Sequence, residues 1–154
     1  MDPWSEFESE LNNRCRALAD GTFFIVEGPA RTKERIAGLF GRKRRTQEVH
    51  LFAQYLRMGN VLYAELVGGS HIGGDFPWTD AEDAALRRLG WQAPEAEKAA
   101  PMYGAYFPAQ APAETDLYLP GTLGEEAAAL VTHSLMEVAG VDAPQELRIE
   151  HGAR

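Results

Sequence analysis

The chain of 154 residues predicts a single α+β domain over 1–154, an antiparallel sheet with three helices in the order α-β-β-β-α-β-β-α. The sheet is expected as a three-stranded meander plus short extra strands. Three observations predict this. Three segments carry apolar residues at helical spacing between recognisable start and stop signals. The stretch between the first two changes to a strand period around a two-residue turn, Gly59-Asn60. Hydrophobic residues make up 45% of the chain, aromatics 10% and charges 25%, an ordinary globular composition that rules out disorder throughout.

The first helix opens at Asp2-Pro3 or at Ser5. Proline suits the first helical turn, where its missing N–H costs nothing, and Ser5 with Glu8 has capping-box spacing. Trp4, Phe7, Leu11, Cys15 and Leu18 then form one apolar stripe, and Gly21 is the expected stop. The strands follow at 22–27, 49–58 and Val61–Val67. Gly59-Asn60 fits a hairpin turn with glycine at its first central position. Counting back from it pairs Leu56 with Tyr63, Gln54 with Glu65 and Phe52 with Val67. Leu51, Ala53, Tyr55, Leu62, Ala64 and Leu66 share the other face, which is almost wholly apolar and is the expected core face. Thr79 and Glu82 box the start of the second helix, Ala85, Leu86 and Leu89 form its stripe, and Gly90-Trp91 closes it. Thr122 and Glu125 repeat the device for the third. Its stripe is Ala127, Leu130, Val131, Leu135 and Val138, and its stop is Gly140-Val141. Weaker strands are expected at Met102–Phe107, 115–119 and 147–150, with 95–101 as linker.

Net charge is −8, unevenly spread. Between Arg31 and Arg45 seven basic residues face one acid, a net of +6, whereas 75–150 carries −10. The acidic majority repels nucleic acid and makes it an unfavoured partner. The basic stretch, 31–46, reads as a flexible insertion between the first two strands, either a long hairpin or a short helical turn. Its Arg42, Lys43, Arg44 and Arg45 supply clustered cations for nucleic-acid or anionic-surface binding, the alternative function. The start of the chain has neither the positive nor the apolar region of a signal peptide, and no apolar run is long enough to span a membrane. A cytoplasmic, reduced-thiol protein without membrane insertion is expected.

Residues that could carry chemistry read more simply as structure. A single cysteine, Cys15, excludes an internal disulfide and any multi-cysteine metal site, and it falls on an apolar stripe. His50, His71, His133 and His151 lie in four elements without metal-ligand spacing. The glycines from Gly68 to Gly74 lack the lysine of a phosphate loop and read as a connector. No catalytic residue, metal site or cofactor is expected, and the chain does not read as an enzyme. Gln54 opposite Glu65 is more informative. An amide and a carboxylate among Phe52, Leu56, Tyr63 and Val67 make either a solvated cross-strand pair or the polar anchor of a protein-binding surface.

The order of elements is that of the small type III secretion chaperone fold. The run Val49-His50-Leu51-Phe52-Ala53-Gln54-Tyr55, the Gly59-Asn60 turn and Val61-Leu62-Tyr63-Ala64-Glu65-Leu66-Val67 resemble the meander of the actinobacterial YbjN and type III secretion chaperone-like (TY-Chap) domains. Leu89-Gly90-Trp91-Gln92-Ala93-Pro94 is similar to that group's Leu-Gly-Trp-x-x-Pro helix ending. The segment 130–141 with Pro144 and Leu147 resembles its closing helix and tail. The basic insertion and the Gly-rich connector depart from the pattern. The resemblance implies a non-catalytic module that binds a client protein or peptide and is often a homodimer. The surface expected to do so is the mixed face, with Phe52, Leu56, Tyr63 and Val67 supplying area and Gln54 and Glu65 orientation, or else a helix groove.

Overall fold

The computed structural model describes residues 2–37, 43–69, 76–94, 102–107 and 121–153. Helix α1 spans Pro3–Ala17. Of the two openings, Asp2-Pro3 is used: the Asp2 carboxylate accepts the Ser5 backbone N–H at 3.0 Å and the Ser5 hydroxyl at 2.7 Å. The helix stops at Leu18, whose backbone is extended, before Gly21 is reached. Gly21 instead takes φ +76° in the turn into the sheet.

The meander is β1 (Thr22–Ala37), β2 (Lys43–Met58) and β3 (Val61–Val67), and its register is the expected one. Leu56 pairs with Tyr63 and Gln54 with Glu65, and the ladder ends at Ala53–Leu66, one step before Phe52 and Val67. Gly59 has φ +62° and no other residue type in the described chain has positive φ, as a turn with its left-handed residue first requires. The basic stretch resolves toward the hairpin reading. Strands β1 and β2 stay paired from Ala30–His50 out to Ala37–Lys43, and the tip, 38–42, lies outside the described residues. A bulge at Gly28-Pro29 shifts the register between Glu27 and Ala30. A proline fits there because a bulge relieves it of a ladder hydrogen bond.

Helix α2 (Asp80–Leu89) carries the complete Thr79/Glu82 capping box. Gly90, at φ +120°, lets the N–H of the buried Trp91 reach back to the Leu86 carbonyl at 3.2 Å. Strand β4 (Met102–Phe107) follows, then helix α3 (Gly121–His133). Because Gly121 is already helical, Thr122 lies inside α3 and does not start it, a correction to the expected cap. The helix widens to a π-helical segment, Ser134–Val138. There the Ser134 hydroxyl bonds back to the Leu130 carbonyl at 2.7 Å and accepts the Trp91 indole N–H at 2.7 Å. A short 3-10 turn, Pro144–Glu146, leads to β5 (Arg148–Ala153). The expected strand at 115–119 and linker at 95–101 lie outside the described residues, so the described order is α-β-β-β-α-β-α-β.

The sheet has five strands, all antiparallel, in the order β4-β3-β2-β1-β5. Leu51, Ala53, Tyr55, Leu62, Ala64 and Leu66 are all buried, so the expected core face is the core face. The helices meet it from that side. The Tyr55 hydroxyl donates to the Ala127 carbonyl of α3 at 2.9 Å, and the Tyr103 hydroxyl donates to Asp83 of α2. Cys15 is fully buried on α1, and burial pushes its thiol well above the ordinary range. That is the setting of a packing residue, not a nucleophile.

Candidate functional site

The outer face of the sheet is built by strand alternation, because each residue that points away from the core recurs at every second position. Across β1, β2 and β3 the rows are Phe23–Leu56–Tyr63 and Ile25–Gln54–Glu65, with Glu27–Phe52 beyond. The bonds from Tyr55 to α3 and from Tyr103 to α2 lie on the other face. Phe52, Gln54, Tyr63 and Glu65 are half-buried. Leu56 and Val67 are each only 4% exposed and offer no free area, and Val67 packs into the hydrophobic core. Val67 is also tied inward through its carbonyl, which accepts the Trp78 indole N–H at 2.8 Å.

Tyr63 does not stand free on this face. Its ring lies over Gly104 of β4, where a Cβ would come within 2.6 Å of the phenol oxygen. It also stacks on Tyr106, with ring centroids 4.6 Å apart and planes 32° from parallel. Tyr106 is 43% exposed, a large aromatic at the sheet's edge. Sequence reasoning missed both partners of Tyr63. The signal was a glycine inside a short strand, which marks the close approach of another group.

Among the described residues β4 is the outermost strand on this side of the sheet. Gly104 turns its N–H and C=O away from β3 to Gln92, in bonds of 3.3 and 2.9 Å. Alternation places the backbone groups of Met102 and Tyr106 on the same outer edge. Beside that edge a groove of about 440 Å³ is lined by residues that include Leu89, Gln92, Tyr106, Glu126, Leu130 and His133. The mixed sheet face and the helix groove, alternatives in the sequence, are therefore adjacent and meet at Tyr106.

The basic segment is divided by the fold. Arg31 is engaged: its guanidinium donates to both Glu82 oxygens at 2.7 Å and to the Ala139 carbonyl at 3.0 Å. Its carbon also sits 5.0 Å from the Phe76 ring centre and 5.5 Å from that of Trp78. Lys43, Arg44 and Arg45 lie in β2, and Arg42 lies outside the described residues. The histidines stay apart. His50 contacts the Gly28 carbonyl at 3.2 Å, His133 pairs with Glu137 at 3.0 Å, and His151 meets Arg14, while His71 lies outside the described residues. Among the described residues no group of three or more His, Cys, Asp or Glu is placed to hold a metal. No described helix is long and apolar enough to cross a membrane.

An antiparallel sheet with helices on one face and an aromatic, partly polar surface on the other defines an α+β, chaperone-like domain. Comparison with known proteins agrees. The chain belongs to the TY-Chap3 family, described as T3SS (YopN, CesT) and YbjN peptide-binding chaperone 3, whose family model matches residues 1–153. No curated protein and no solved structure matches the chain.

Proposed function

We propose that this chain binds an extended segment of a client protein, without catalysing a reaction on it, along the outer sheet face and over the β4 edge into the adjacent groove. The observation that carries this is the Tyr63–Tyr106 stack, which joins the half-buried face to the groove. An extended peptide brings N–H and C=O groups to an edge that carries no further strand among the described residues, and alternate side chains to the groove. Gln54 and Glu65 orient it, and Phe52, Tyr63 and Tyr106 supply area, since aromatic anchors give large contact at small entropic cost.

The test is a panel of labelled apolar-rich peptides titrated with the wild-type chain and with Tyr106→Ala. Loss of an interface anchor costs about 2 kcal/mol or more in binding. Affinity is therefore expected to fall roughly thirtyfold. Thermal unfolding should move little, because Tyr106 is partly exposed. Unchanged affinity for every peptide bound by the wild type would place the client on another surface.

A further inference from the structure

The middle row of the outer face runs Glu150–Ile25–Gln54–Glu65–Gly104 across the five strands. Register partners in an antiparallel pair hold their Cβ atoms about 4.5–5.5 Å apart, so Gln54 and Glu65 set an amide beside a carboxylate. Both residues are half-buried, and among the described residues neither side chain has a hydrogen-bond or ion-pair partner, the other included. They are therefore not a cross-strand pair that satisfies itself. Polar groups drawn partly out of water without a partner cost stability, and a ligand that supplies the partner recovers it.

The other acids on this part of the face are already matched. Glu27 meets Arg148 at 3.2 Å and lies 3.5 Å from the His50 ring nitrogen, and Glu150 meets Arg148 at 3.4 Å. Glu65 is left, among the described residues, without a cation. An aromatic wall stands beside it. The Tyr63 ring leans out of its own row over Gly104, the register partner of Glu65, and stacks on Tyr106. On the groove side of Tyr106 lies Glu126, exposed and likewise without an ion-pair partner among the described residues. Both approaches to the Tyr63–Tyr106 stack therefore carry an unmatched negative charge.

We propose that Glu65, with Gln54 and the Tyr63–Tyr106 stack, seats an arginine of the client segment; this rests on the peptide-binding reading above. A guanidinium matches the three groups at once. Two of its N–H groups fit a carboxylate in parallel, a further N–H reaches an amide oxygen one strand away, and its flat face lies against an aromatic ring. A lysine ammonium answers the charge but neither the fork nor the stack. An acidic client side chain would meet Glu65 on one side of Tyr106 and Glu126 on the other, and like charges brought together in an interface are costly. The net charge of −8 draws a cationic segment from a distance, and the local groups fix where its arginine comes to rest. Phe52 and Tyr106 then take apolar residues on either side of it.

The experiment titrates the chain with three labelled, apolar-rich peptides of about ten residues, enough when extended to cross the sheet face and reach the groove. They differ at one central position, which is arginine, lysine or citrulline. Citrulline keeps the shape of arginine and loses the charge. A charge-assisted contact to a half-buried carboxylate, with a ring contact added, outweighs an exposed ion pair, so the arginine peptide is expected to bind about tenfold more tightly than the citrulline peptide, with lysine between. Glu65→Gln keeps the size of the side chain and removes its charge, and should bind the arginine and citrulline peptides equally. Glu150→Gln changes the net charge by the same amount on the same face and should keep the preference. Thermal unfolding checks that both variants fold, and the comparison of peptides on the wild type needs neither. Equal binding of arginine and citrulline peptides by the wild type overturns this proposal and leaves the peptide-binding reading intact. Binding of no peptide overturns both. Lysine matching arginine would mean that charge alone is read, and would overturn the guanidinium seat. A preference that survives in Glu65→Gln, or that Glu150→Gln abolishes as well, would assign it to other charges and overturn the proposal. Displacement of the arginine peptide by free arginine amide, at concentrations no higher than the peptide itself requires, would make this a small-cation site and overturn it too.

Discussion

Arg31 shows how one side chain can join elements distant in sequence. It leaves β1, grips Glu82 at the start of α2, reaches the Ala139 carbonyl beyond the π-helical segment, and lies against Phe76 and Trp78. Its side chain is 30% exposed and that of Glu82 18%, so water screens the pair only in part. A lysine cannot reproduce a planar fork with two parallel bonds and a ring contact. Hydrogen bonds to charged groups are worth about 1.5–3 kcal/mol, so Arg31→Lys is expected to lower stability by about 2 kcal/mol in chemical denaturation. The effect has a predictable pH dependence. Burial raises the Glu82 carboxyl, but the Arg31 hydrogen bond, the Thr79 N–H and the Arg31 charge outweigh it and hold the group below its ordinary value. A carboxyl whose folded pKa is depressed stabilises the fold above its unfolded pKa, and that contribution is lost as pH falls through the folded value. The difference between wild type and Arg31→Lys should therefore be full at neutral pH and shrink in acid below the ordinary value of 4.5. A gap that stays constant down to acid unfolding would show that the Glu82 pairing is not its source.

At the scale of elements, the two edges of the sheet use the same device for different ends. Phe23 of β1 lies over Gly152 of β5, and Tyr63 of β3 lies over Gly104 of β4. In each case a Cβ would collide with ring atoms, so the glycine makes room for an aromatic from a neighbouring strand. Gly104→Ala and Gly152→Ala are each expected to cost about 1–3 kcal/mol, the usual range for overpacking, read from urea unfolding. Only Gly104→Ala should also weaken peptide binding, because it pushes Tyr63 off its stack with Tyr106. Equal losses of binding from both would mean that stability alone governs capture. The sequence made part of this legible. Gly59-Asn60 set the register of β2 on β3, and the Thr79/Glu82 box and Gly90-Trp91 marked both ends of α2, because those signals are local. The placement of β4 and β5 at opposite edges, and the rings over their glycines, depend on partners distant in the chain. The continuation of β1 through Lys33 and Arg35 was hidden for a related reason. A run of like charges lacks the apolar alternation that announces a strand, and only pairing with β2 holds it extended.

For the whole molecule, these contacts divide the protein into a body and an arm. In the body, β1 has β5 on one side and β2 on the other, while α1 and α3 cover the core face that holds Val26, Ala53, Tyr55 and Leu62. Beyond the Gly28-Pro29 bulge each strand has, among the described residues, only its hairpin partner, and two-stranded ribbons are marginal without a third strand or a packed helix. Among the described residues, Arg31 and the partly buried Val49, which packs against the core, tie the arm to the body at its base. Opening free energies within a protein range from near zero at weakly packed segments to the global value in the core. Native-state hydrogen exchange should therefore show slow amides at Val26, Ala53 and Leu62, and faster ones over 32–37 and 43–48. Arg31→Ala, which removes the anchor without touching either strand's backbone pairing, sharpens the test. It should speed exchange in the arm by severalfold more than in the body, because the arm loses its attachment while the core of β1, β2 and β3 keeps its packing. If arm and body accelerated by the same factor, the arm would open only when the whole domain unfolds. Arg31 would then be stabilising a single cooperative unit, and not the joint between two.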